Sequence, residues 1–368
     1  MYLKKSKTIV IKIGSSIIID ENKKIRLKWL LEFAKDIKDL LKQKKNIILV
    51  SSGAIALGCK KLNISKKNIK LDKSQAVASI GQIELMNLFN KTFSSKKINL
   101  SQILLTLEDT EQRRRAINAK RTFENLFELG FIPVVNENDS IATTEIKYGD
   151  NDRLASRVAQ ISGADCLVLL SDVDGLYTQN PKLFKNSKLI KEIKNIDAGI
   201  EKIATKSISE HGTGGMKTKI EAAKICQLSG CTMAIANGLL KRPIKKIIDK
   251  NKCTWFLPKI SKLDARKKWI ISSISPKGEL IIDDGAINAL KKGKSLLAAG
   301  IKKVTGKFNK GDHIKILDKN FKEYARGLSS FSSEEINKIQ GQHSNKIHEL
   351  LGYISKSEVV HKDDMVEI

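Results

Sequence analysis

Short apolar runs alternate with stretches of helical periodicity over the first part of the chain. Apolar and often β-branched runs predict strands at 8–13, 46–50, 98–105, 131–135 and 165–170. Apolar residues at helical spacing predict helices at 27–42, 74–93, 108–129, 151–161 and 220–228. Short apolar strands that alternate with helices form a mainly parallel sheet covered on both faces. The pattern therefore predicts an α/β fold, a three-layer αβα sandwich.

The pattern changes between Pro258 and Pro276. Beyond this point, short β-like runs separated by glycine predict strands at 279–282, 295–298, 313–317, 324–327 and 359–361. Domains typically contain about 100–200 residues, so a chain of 368 residues has room for two. We expect a first domain over 1–260, a linker over 261–275 and a small β-rich domain over 276–368.

Charge is distributed unevenly between these two parts. The chain has 67 basic and 40 acidic residues, a net charge of +27, but from Ser275 onwards it has 16 basic and 13 acidic residues. Most of the excess therefore belongs to the first part. A polyanionic partner such as nucleic acid is one interpretation. The alternative is lysine spread over solvated helices and loops, and the absence of a single basic stripe favours it.

Cysteine usage and hydropathy indicate an intracellular protein. The five cysteines are scattered, odd in number and form no Cys-x-x-Cys pair, so we expect neither structural disulfides nor a zinc site. No apolar run approaches the roughly 20 residues that cross a bilayer. The first residues lead directly into the strand at 8–13, which is too short and too alternating for a signal sequence. We expect a cytoplasmic protein with no membrane association.

Polar and glycine-rich clusters follow four of the predicted strands, at 14–16, 51–53, 136–139 and 171–172. In parallel sheets, ligands bind beyond the carboxyl ends of the strands. The cluster at 136–139, together with 149–152, is rich in short carboxylates and amides. These residues could form ordinary turns and a helix cap. As a pair they could instead hold an ammonium group and a Mg²⁺–phosphate assembly.

Three further features point to phosphate chemistry. The segment Gly212-Thr213-Gly214-Gly215-Met216-Lys217-Thr218-Lys219 precedes the helix predicted at 220–228, where backbone N–H groups and the helix dipole favour anions. A flexible basic loop is the alternative. Lys12 lies inside an apolar strand, so it is either an edge-strand lysine or one whose amine points towards the ligand edge. The segment 171–178 is either a nucleotide base or ribose site or a plain β-turn.

The motifs, in the order in which they occur along the chain, resemble those of the amino acid kinase family. The matching segments are 10–16, 50–56, 133–139, 149–152, 174–178 and 212–219. The second domain resembles a PUA domain through 281–286, 295–301 and 304–306. Within the family, the resemblance is closest to members that phosphorylate the side-chain carboxylate of glutamate with ATP, the first step of proline biosynthesis.

The resemblance also implies roles for single residues. Phosphoryl transfer falls to Lys12, Lys219 and Asp152, and amino acid binding to Ser52, Gly53, Asp139 and Asn151. ATP binding falls to Lys12, Ser171, Asp172, Thr213, Gly214, Gly215, Met216, Lys217, Thr218 and Lys219. No protein side chain is expected to ligate the metal, because Mg²⁺ is held mainly by ATP. The sequence departs from the family pattern at Ser171, where threonine is common, and at Lys217, where a small residue is frequent.

This chemistry agrees with the residues present. A glutamate side chain has a pKa of about 4.3, so its carboxylate is already a nucleophile at neutral pH and needs no general base. Cations and in-line positioning are sufficient. The resemblance further implies a homo-oligomer (dimer or tetramer), proline as a feedback inhibitor and RNA binding by the PUA-like domain as a secondary property. A related kinase acting on another small acid or a nucleotide, and an RNA-binding or RNA-modifying protein, are the competing hypotheses.

Overall fold

The computed structural model of the protein describes residues 2–20, 22, 24–65, 69–142, 151–181, 183–184, 186–206, 215–250, 252–261, 276–353 and 356–367. The chain divides into two compact units, Met1–Lys262 and Leu263–Ile368. Apart from Ser261, the predicted linker lies outside the described residues. No helix in the described part of the chain is long and apolar enough to cross a membrane.

The first unit alternates strands and helices as its sequence pattern predicts. Its elements are α1 (Tyr2–Lys5), β1 (Thr8–Ile13), α2 (Ser15–Ile18), α3 (Leu27–Lys42), β2 (Asn46–Ser51), α4 (Ala54–Lys61), α5 (Leu71–Ser94), β3 (Asn99–Leu105), α6 (Leu107–Glu111), α7 (Arg113–Glu128), β4 (Phe131–Glu137), α8 (Asn151–Ser162), β5 (Cys166–Ser171), β6 (Glu192–Ile193), α9 (Ala198–Lys206), α10 (Met216–Leu228), β7 (Thr232–Asn237), α11 (Pro243–Lys250) and β8 (Cys253–Phe256).

One sheet of eight strands organises this unit. Its strand order is β3-β4-β2-β1-β5-β7-β8-β6, and β7–β8 is its antiparallel pair. Strand β1 lies in the middle, paired in parallel with β2 and β5. Apolar side chains on the two faces form separate buried clusters, one including α3 and α5, the other including α8 and α10. The predicted α/β fold with a mainly parallel sheet and helices on both faces is confirmed.

Alternation along β1 decides which face receives each side chain. Ile9, Ile11 and Ile13 belong to the cluster with α3 and α5, whereas Val10 belongs to the cluster with α8 and α10. Because successive side chains of a strand point to opposite faces, Lys12 shares the face of Val10. The hypothesis that Lys12 is an edge-strand lysine is wrong, since β1 has a partner on both sides.

The helix predicted at 27–42 has the bounds of α3, and the other four predicted helices begin or end at different residues in the structure. The helix predicted at 108–129 is two helices, because the chain is extended at Gln112, between α6 and α7. Thr106 caps the start of α6 in a reciprocal box with Asp109. The helix predicted at 220–228 begins at Met216. Lys217 and Lys219 therefore lie in its first turn, not before it. In this unit, the sequence patterns did not predict α1, α2, α4, β6, α9, β7, β8 or α11.

The second unit is β-rich, as predicted. Its elements are β9 (Gly278–Ile282), α12 (Asp284–Lys291), β10 (Leu296–Leu297), β11 (Ile301–Gly306), β12 (His313–Leu317), β13 (Glu323–Leu328), α13 (Ser333–Ile339), α14 (Ile347–Leu351), β14 (Glu358–Val360) and β15 (Met365–Glu367). A five-stranded sheet has the order β11-β9-β12-β13-β15, and β10 pairs with β14. The unit has its own buried apolar cluster, which is typical of an independent core.

Candidate active site

The carboxyl ends of the central strands meet at one edge of the sheet. Ile13 at the end of β1 lies opposite Ser51 of β2 and Leu170 of β5. The segments that begin with Gly14, Ser52 and Ser171 therefore leave the sheet side by side. Helices α2 and α4 begin immediately after β1 and β2. Unsatisfied N–H groups at helix N-termini favour negatively charged ligands, so this edge is suited to an anion.

A buried ionic cluster lies at this edge. Lys12 Nζ is 2.7 Å from Asp152 Oδ1, and Lys219 Nζ is 3.1 Å from Asp152 Oδ2. Lys12 comes from β1, Asp152 from the first turn of α8 and Lys219 from the first turn of α10. The exposed fractions are 7%, 1% and 7%. Two ammonium groups share one carboxylate, so the cluster carries one excess positive charge.

Electrostatics fixes the charge state of Asp152. Burial alone would raise the pKa of this carboxyl group, but its attraction to Lys12 and Lys219 outweighs burial and lowers the pKa to about 2. Asp152 is therefore ionised at neutral pH. It positions the two lysines and cannot act as a proton donor. A Cβ placed on Gly14 would lie 3.9 Å from Lys12 Nζ. The Lys12 amine therefore lies at the carboxyl end of β1, the edge of the sheet where ligands bind in parallel sheets.

The first turn of α10 lies against this cluster, since Thr218 and Lys219 both contact Asp152. Gly215 is the residue before the helix, and no side chain caps the helix N-terminus. Thr218 Oγ1 lies 3.0 Å from Asp152 Oδ2 and 2.9 Å from the Gly215 carbonyl oxygen. Met216 packs against the apolar cluster on this face, whereas Lys217 is exposed. Thr213 and Gly214, also predicted to bind ATP, lie outside the described residues, as does the rest of the glycine loop before Gly215.

A chain of neutral amides lies beside the ionic cluster. Asn151 Nδ2 donates to the Ser51 carbonyl oxygen and, at 2.8 Å, to Asn136 Oδ1. Asn136 Nδ2 donates in turn to Gln82 Oε1 at 2.7 Å. Asn136, Asn151 and Gln82 are all at least nine-tenths buried. These bonds attach the start of α8 to the ends of β2 and β4, and so place Asn151 directly before Asp152.

Asp139 follows this chain of amides and has a different environment. Burial raises the pKa of its carboxyl group to about 6, and no cation of the described residues offsets this effect. The described segment around it, 138–142, is held by one hydrogen bond at each end. Asn138 N donates to the Leu105 carbonyl oxygen at 3.0 Å, and Gln75 Nε2 donates to the Ala142 carbonyl oxygen at 3.1 Å. The predicted residues Gly149 and Asp150 lie outside the described part of the chain.

Ser52 and Gly53 connect β2 to α4. Gly53 has φ of +112°, a conformation that side chains rarely adopt, so the sharp entry into α4 depends on glycine here. Ser52 Oγ is buried and has no hydrogen-bond partner among the described residues. A buried hydroxyl group without a partner is costly. The Ser52 hydroxyl group is therefore free of protein partners in the described part of the chain and can form a hydrogen bond to a ligand.

The segment after β5 is a turn that the side chain of Asp174 attaches to neighbouring segments. Ser171 Oγ donates to Asp172 Oδ1 at 3.0 Å. Asp174 then accepts from Tyr177 OH at 3.0 Å and from Asn237 Nδ2 at 3.2 Å, and pairs with Lys252 at 2.9 Å. These contacts tie the turn to β7 and β8. Since Ser171 lies opposite Asn237 in the sheet, Ser171 and Asp172 lie at the same edge as the ionic cluster.

Sequence reasoning missed Gln82 and Gln75. Both lie on α5, seven residues apart and therefore on one side of that helix. A polar residue on the buried face of an apolar helix was the available signal at Gln82. The partner of Gln82, Asn136, lies in β4, and the partner of Gln75, Ala142, follows β4, so only the fold brings them together.

The comparisons with known proteins fit this geometry. The sequence model described as "Amino acid kinase family" matches residues 7–237, and the PUA domain model matches residues 278–351. The chain is 80% identical to the glutamate 5-kinase of Pelagibacter ubique over the full length of both chains. It is 45% identical to the glutamate 5-kinase of Nitrobacter hamburgensis, covering 100% of this chain and 97% of the relative.

A solved structure supports the fold alone. The structure described as carbamate kinase from Giardia lamblia bound to AMP-PNP covers 70% of this chain and 100% of its own, with a TM-score of 0.50 and 17% identity. At that identity, only the architecture is comparable.

Proposed function

The chain belongs to the amino acid kinase family, and on that premise we propose that it transfers the γ-phosphoryl group of ATP to the side-chain carboxylate of L-glutamate. The products are L-glutamyl 5-phosphate, an acyl phosphate, and ADP. The observation that carries the chemistry is the buried cluster of Lys12, Asp152 and Lys219 with its one excess positive charge. The choice of glutamate rests on the full-length similarity to glutamate 5-kinases.

The reaction needs no covalent intermediate with a protein side chain. The glutamate side chain is ionised at neutral pH and attacks the γ-phosphorus directly, while the bond from that phosphorus to the bridging oxygen of ADP breaks. Negative charge develops on the transferring group and on the leaving oxygen. We assign Lys12 and Lys219 to stabilise that charge, because fixed cations in a buried site need no rearrangement at the moment of reaction. Asp152 holds both lysines in position.

We assign nucleotide binding to the same edge of the sheet. We assign the triphosphate to the N-terminus of α10, with Gly215, Met216, Lys217, Thr218 and Lys219 and the preceding Thr213 and Gly214. We assign Ser171 and Asp172 to contact the nucleoside, and Ser171 keeps the hydroxyl group that threonine would supply.

Magnesium fits this site as a metal held by the nucleotide. Both oxygens of Asp152 are engaged by lysines, and no group of three or more metal-ligating side chains is found among the described residues. Mg²⁺ prefers few carboxylates together with phosphate oxygens. Bound to the triphosphate, it would neutralise part of the phosphate charge.

Amino acid recognition is assigned to the end of the site formed by Asp139, the neutral amides and the turn at Ser52 and Gly53. Asp139 and Asn151 present acceptor oxygens, which suit the α-ammonium group of glutamate. Ser52 and the N-terminus of α4 at Gly53 present donors, which suit a carboxylate. The raised pKa of Asp139 supports this assignment, because a bound ammonium group would stabilise its ionised form.

This reaction is the first step of proline biosynthesis, and we place it in the cytoplasm, where ATP and free glutamate are supplied. Three related hypotheses are kept separate from it: inhibition by proline, assembly into a dimer or tetramer, and RNA binding by the PUA domain. The PUA domain match motivates the last. A filter-binding assay with a salt titration would test it, since phosphate contacts make affinity fall steeply with salt.

The activity is tested by assaying ADP release with MgATP and a panel of amino acids, with hydroxylamine present to trap acyl phosphates. We expect hydroxamate formation with L-glutamate only. Carbamate and UMP serve as acceptors for the competing kinase reactions. ADP release that depends on one of these acceptors, without hydroxamate from glutamate, would contradict the proposal.

A further inference from the structure

Gln82 follows a residue of α5 that packs closely against the start of α4. The preceding residue, Gly81, has no room for a side chain, because a Cβ there would lie 1.8 Å from the Ala54 carbonyl oxygen. A Cβ on Gly58 of α4 would similarly lie 2.1 Å from the Val77 carbonyl oxygen of α5. The backbones of α4 and α5 are therefore in contact. Gln82, the residue after Gly81, therefore lies on the part of α5 that packs against the start of α4, the helix that follows Ser52 and Gly53.

The hydrogen bonds of the amide chain run in one direction. Gln82 Oε1 accepts from Asn136 Nδ2, and Asn136 Oδ1 accepts from Asn151 Nδ2. The second hydrogen of Asn151 Nδ2 is directed to the Ser51 carbonyl oxygen. Asn151 therefore has only its side-chain oxygen, an acceptor, left for a ligand.

Gln82, at the opposite end of this row of hydrogen-bonded amides, has an unused donor group. Gln82 is 9% exposed, and its Nε2 is buried without a hydrogen-bond partner among the described residues. Buried amide donors are almost always satisfied in folded proteins. Ser52 Oγ is a second buried group without a partner. These two groups, near the N-terminus of α4, are donors that an acceptor oxygen of a ligand would satisfy.

We propose that Gln82 is a further substrate-binding residue, whose Nε2 donates a hydrogen bond to the α-carboxylate of glutamate. Its Oε1 at the same time fixes Asn136, and through it the orientation in which the Asn151 oxygen faces the α-ammonium group. The inference rests on the proposed function. The α-carboxylate is chosen because the other carboxylate must reach Lys12 and Lys219 to receive the phosphoryl group.

The variant Gln82→Met keeps the size of the side chain and removes both hydrogen-bonding groups. Hydrogen bonds to charged groups predict a rise in KM for glutamate of roughly ten- to hundredfold, with KM for ATP unchanged. L-isoglutamine, whose α-carboxylate is an amide, retains the carboxylate that is phosphorylated. The wild type should prefer glutamate to isoglutamine, and Gln82→Met should lose most of that preference. An equal rise in KM for both substrates would overturn the assignment to the α-carboxylate.

The variant Gln82→Glu separates substrate binding from a purely structural role. It retains an acceptor for Asn136 but replaces the donor with a negative charge when assayed at about pH 8.5, where a carboxyl group is expected to be ionised. We expect KM for glutamate to rise at least as much as in Gln82→Met. A KM close to that of the wild type would mean that Gln82 serves only to orient Asn136.

Gln227→Met is the matched control. Gln227 is a buried glutamine at the far end of α10, and its Nε2 donates to the Lys194 carbonyl oxygen at 3.0 Å. This variant should lose thermal stability without a change in either KM. If the wild type forms no glutamyl hydroxamate, the proposed function fails. If the wild type is active and Gln82→Met is folded with unchanged kinetics, only the inference about Gln82 fails.

Discussion

Two carboxylates of the candidate site, the buried Asp152 and the partly buried Asp139, have pKa values shifted in opposite directions. The pKa of Asp152 is lowered to about 2, because the attraction of Lys12 and Lys219 outweighs burial. The pKa of Asp139 is raised to about 6 by burial alone. Both residues are short acids at the same edge of one sheet. The difference lies in the source of their counterions, since the chain supplies two for Asp152 and none of the described residues supplies one for Asp139.

This contrast separates the two ends of the site by chemistry. At the Asp152 end, the described residues bring two lysines to one carboxylate, so an anion such as the transferring phosphoryl group would suit it. The Asp139 end has a negative charge that is unfavourable in the absence of a cation. A substrate with an ammonium group at one end and a carboxylate to be phosphorylated at the other would satisfy both. Glutamate has that arrangement.

Removing the carboxylate of Asp152 should have the largest effect. Asp152→Ala leaves Lys12 and Lys219 buried without their shared anion, and loss of one partner of a buried ion pair costs about 3–5 kcal/mol of stability. We expect kcat to fall by roughly a thousandfold or more, because both lysines lose their positions. Asp36→Asn is the control, since Asp36 is equally buried but pairs with Arg242. It should lower thermal stability and leave kcat unchanged, and equal kcat losses in both variants would contradict the special role of Asp152.

Removing one lysine should have the next largest effect. Lys219→Ala should lower kcat by about 10²–10³, by analogy with loss of a fixed donor to a developing charge. Circular dichroism should show a folded protein. Lys224→Ala removes a lysine from the same helix that pairs with Glu201 at the surface, and it should have wild-type kcat. Near-wild-type turnover of Lys219→Ala would show that Lys219 has no part in phosphoryl transfer.

A change at Asp139 should affect only the amino acid. Asp139→Asn should raise KM for glutamate by roughly ten- to hundredfold and leave KM for ATP unchanged, because the ammonium group loses its counterion. An equal rise in both KM values would indicate that Asp139 is a structural turn residue.

The pH dependence of the same residue sharpens the comparison with Asp152. The folded pKa of about 6 exceeds the ordinary value of the group, so free protein loses stability as pH rises from about 4 to about 6. Bound ammonium favours the ionised carboxylate, so KM for glutamate in the wild type should fall as pH rises through about 6. Asp139→Asn should remove this dependence. A wild-type KM that is flat over this range would contradict the assignment.

Removing the second unit should have the smallest effect on turnover. The residues assigned to catalysis and binding, from Lys12 to Lys219, all lie in the first unit, and each unit has its own apolar core. A chain ending at Lys262 should therefore retain glutamate-dependent ATP turnover. Light scattering and circular dichroism establish that it is monodisperse and folded. A folded, monodisperse truncation without activity at saturating substrates would show that the second unit completes the site.

The sequence by itself determined the fold class and the order of the main elements. Alternating apolar runs and helical stretches predicted the mainly parallel sheet, because those periods record which faces are buried. The glycine-rich and polar segments were located at strand ends for the same reason. The break at Gln112 and the start of α10 at Met216 were not predicted, because both depend on caps and contacts at helix ends that periodicity does not record.

Only the tertiary structure decided which residues meet and which charge each one bears. Lys12 could have been an edge-strand lysine until its strand was found between two others. Asp152 and Asp139 are indistinguishable as residue types, and their opposite pKa shifts depend on lysines brought from β1 and α10. Gln82 was missed because its role depends on Asn136, which is distant in sequence. Periodic patterns encode burial, but the pairing of buried polar groups depends on contacts between distant segments.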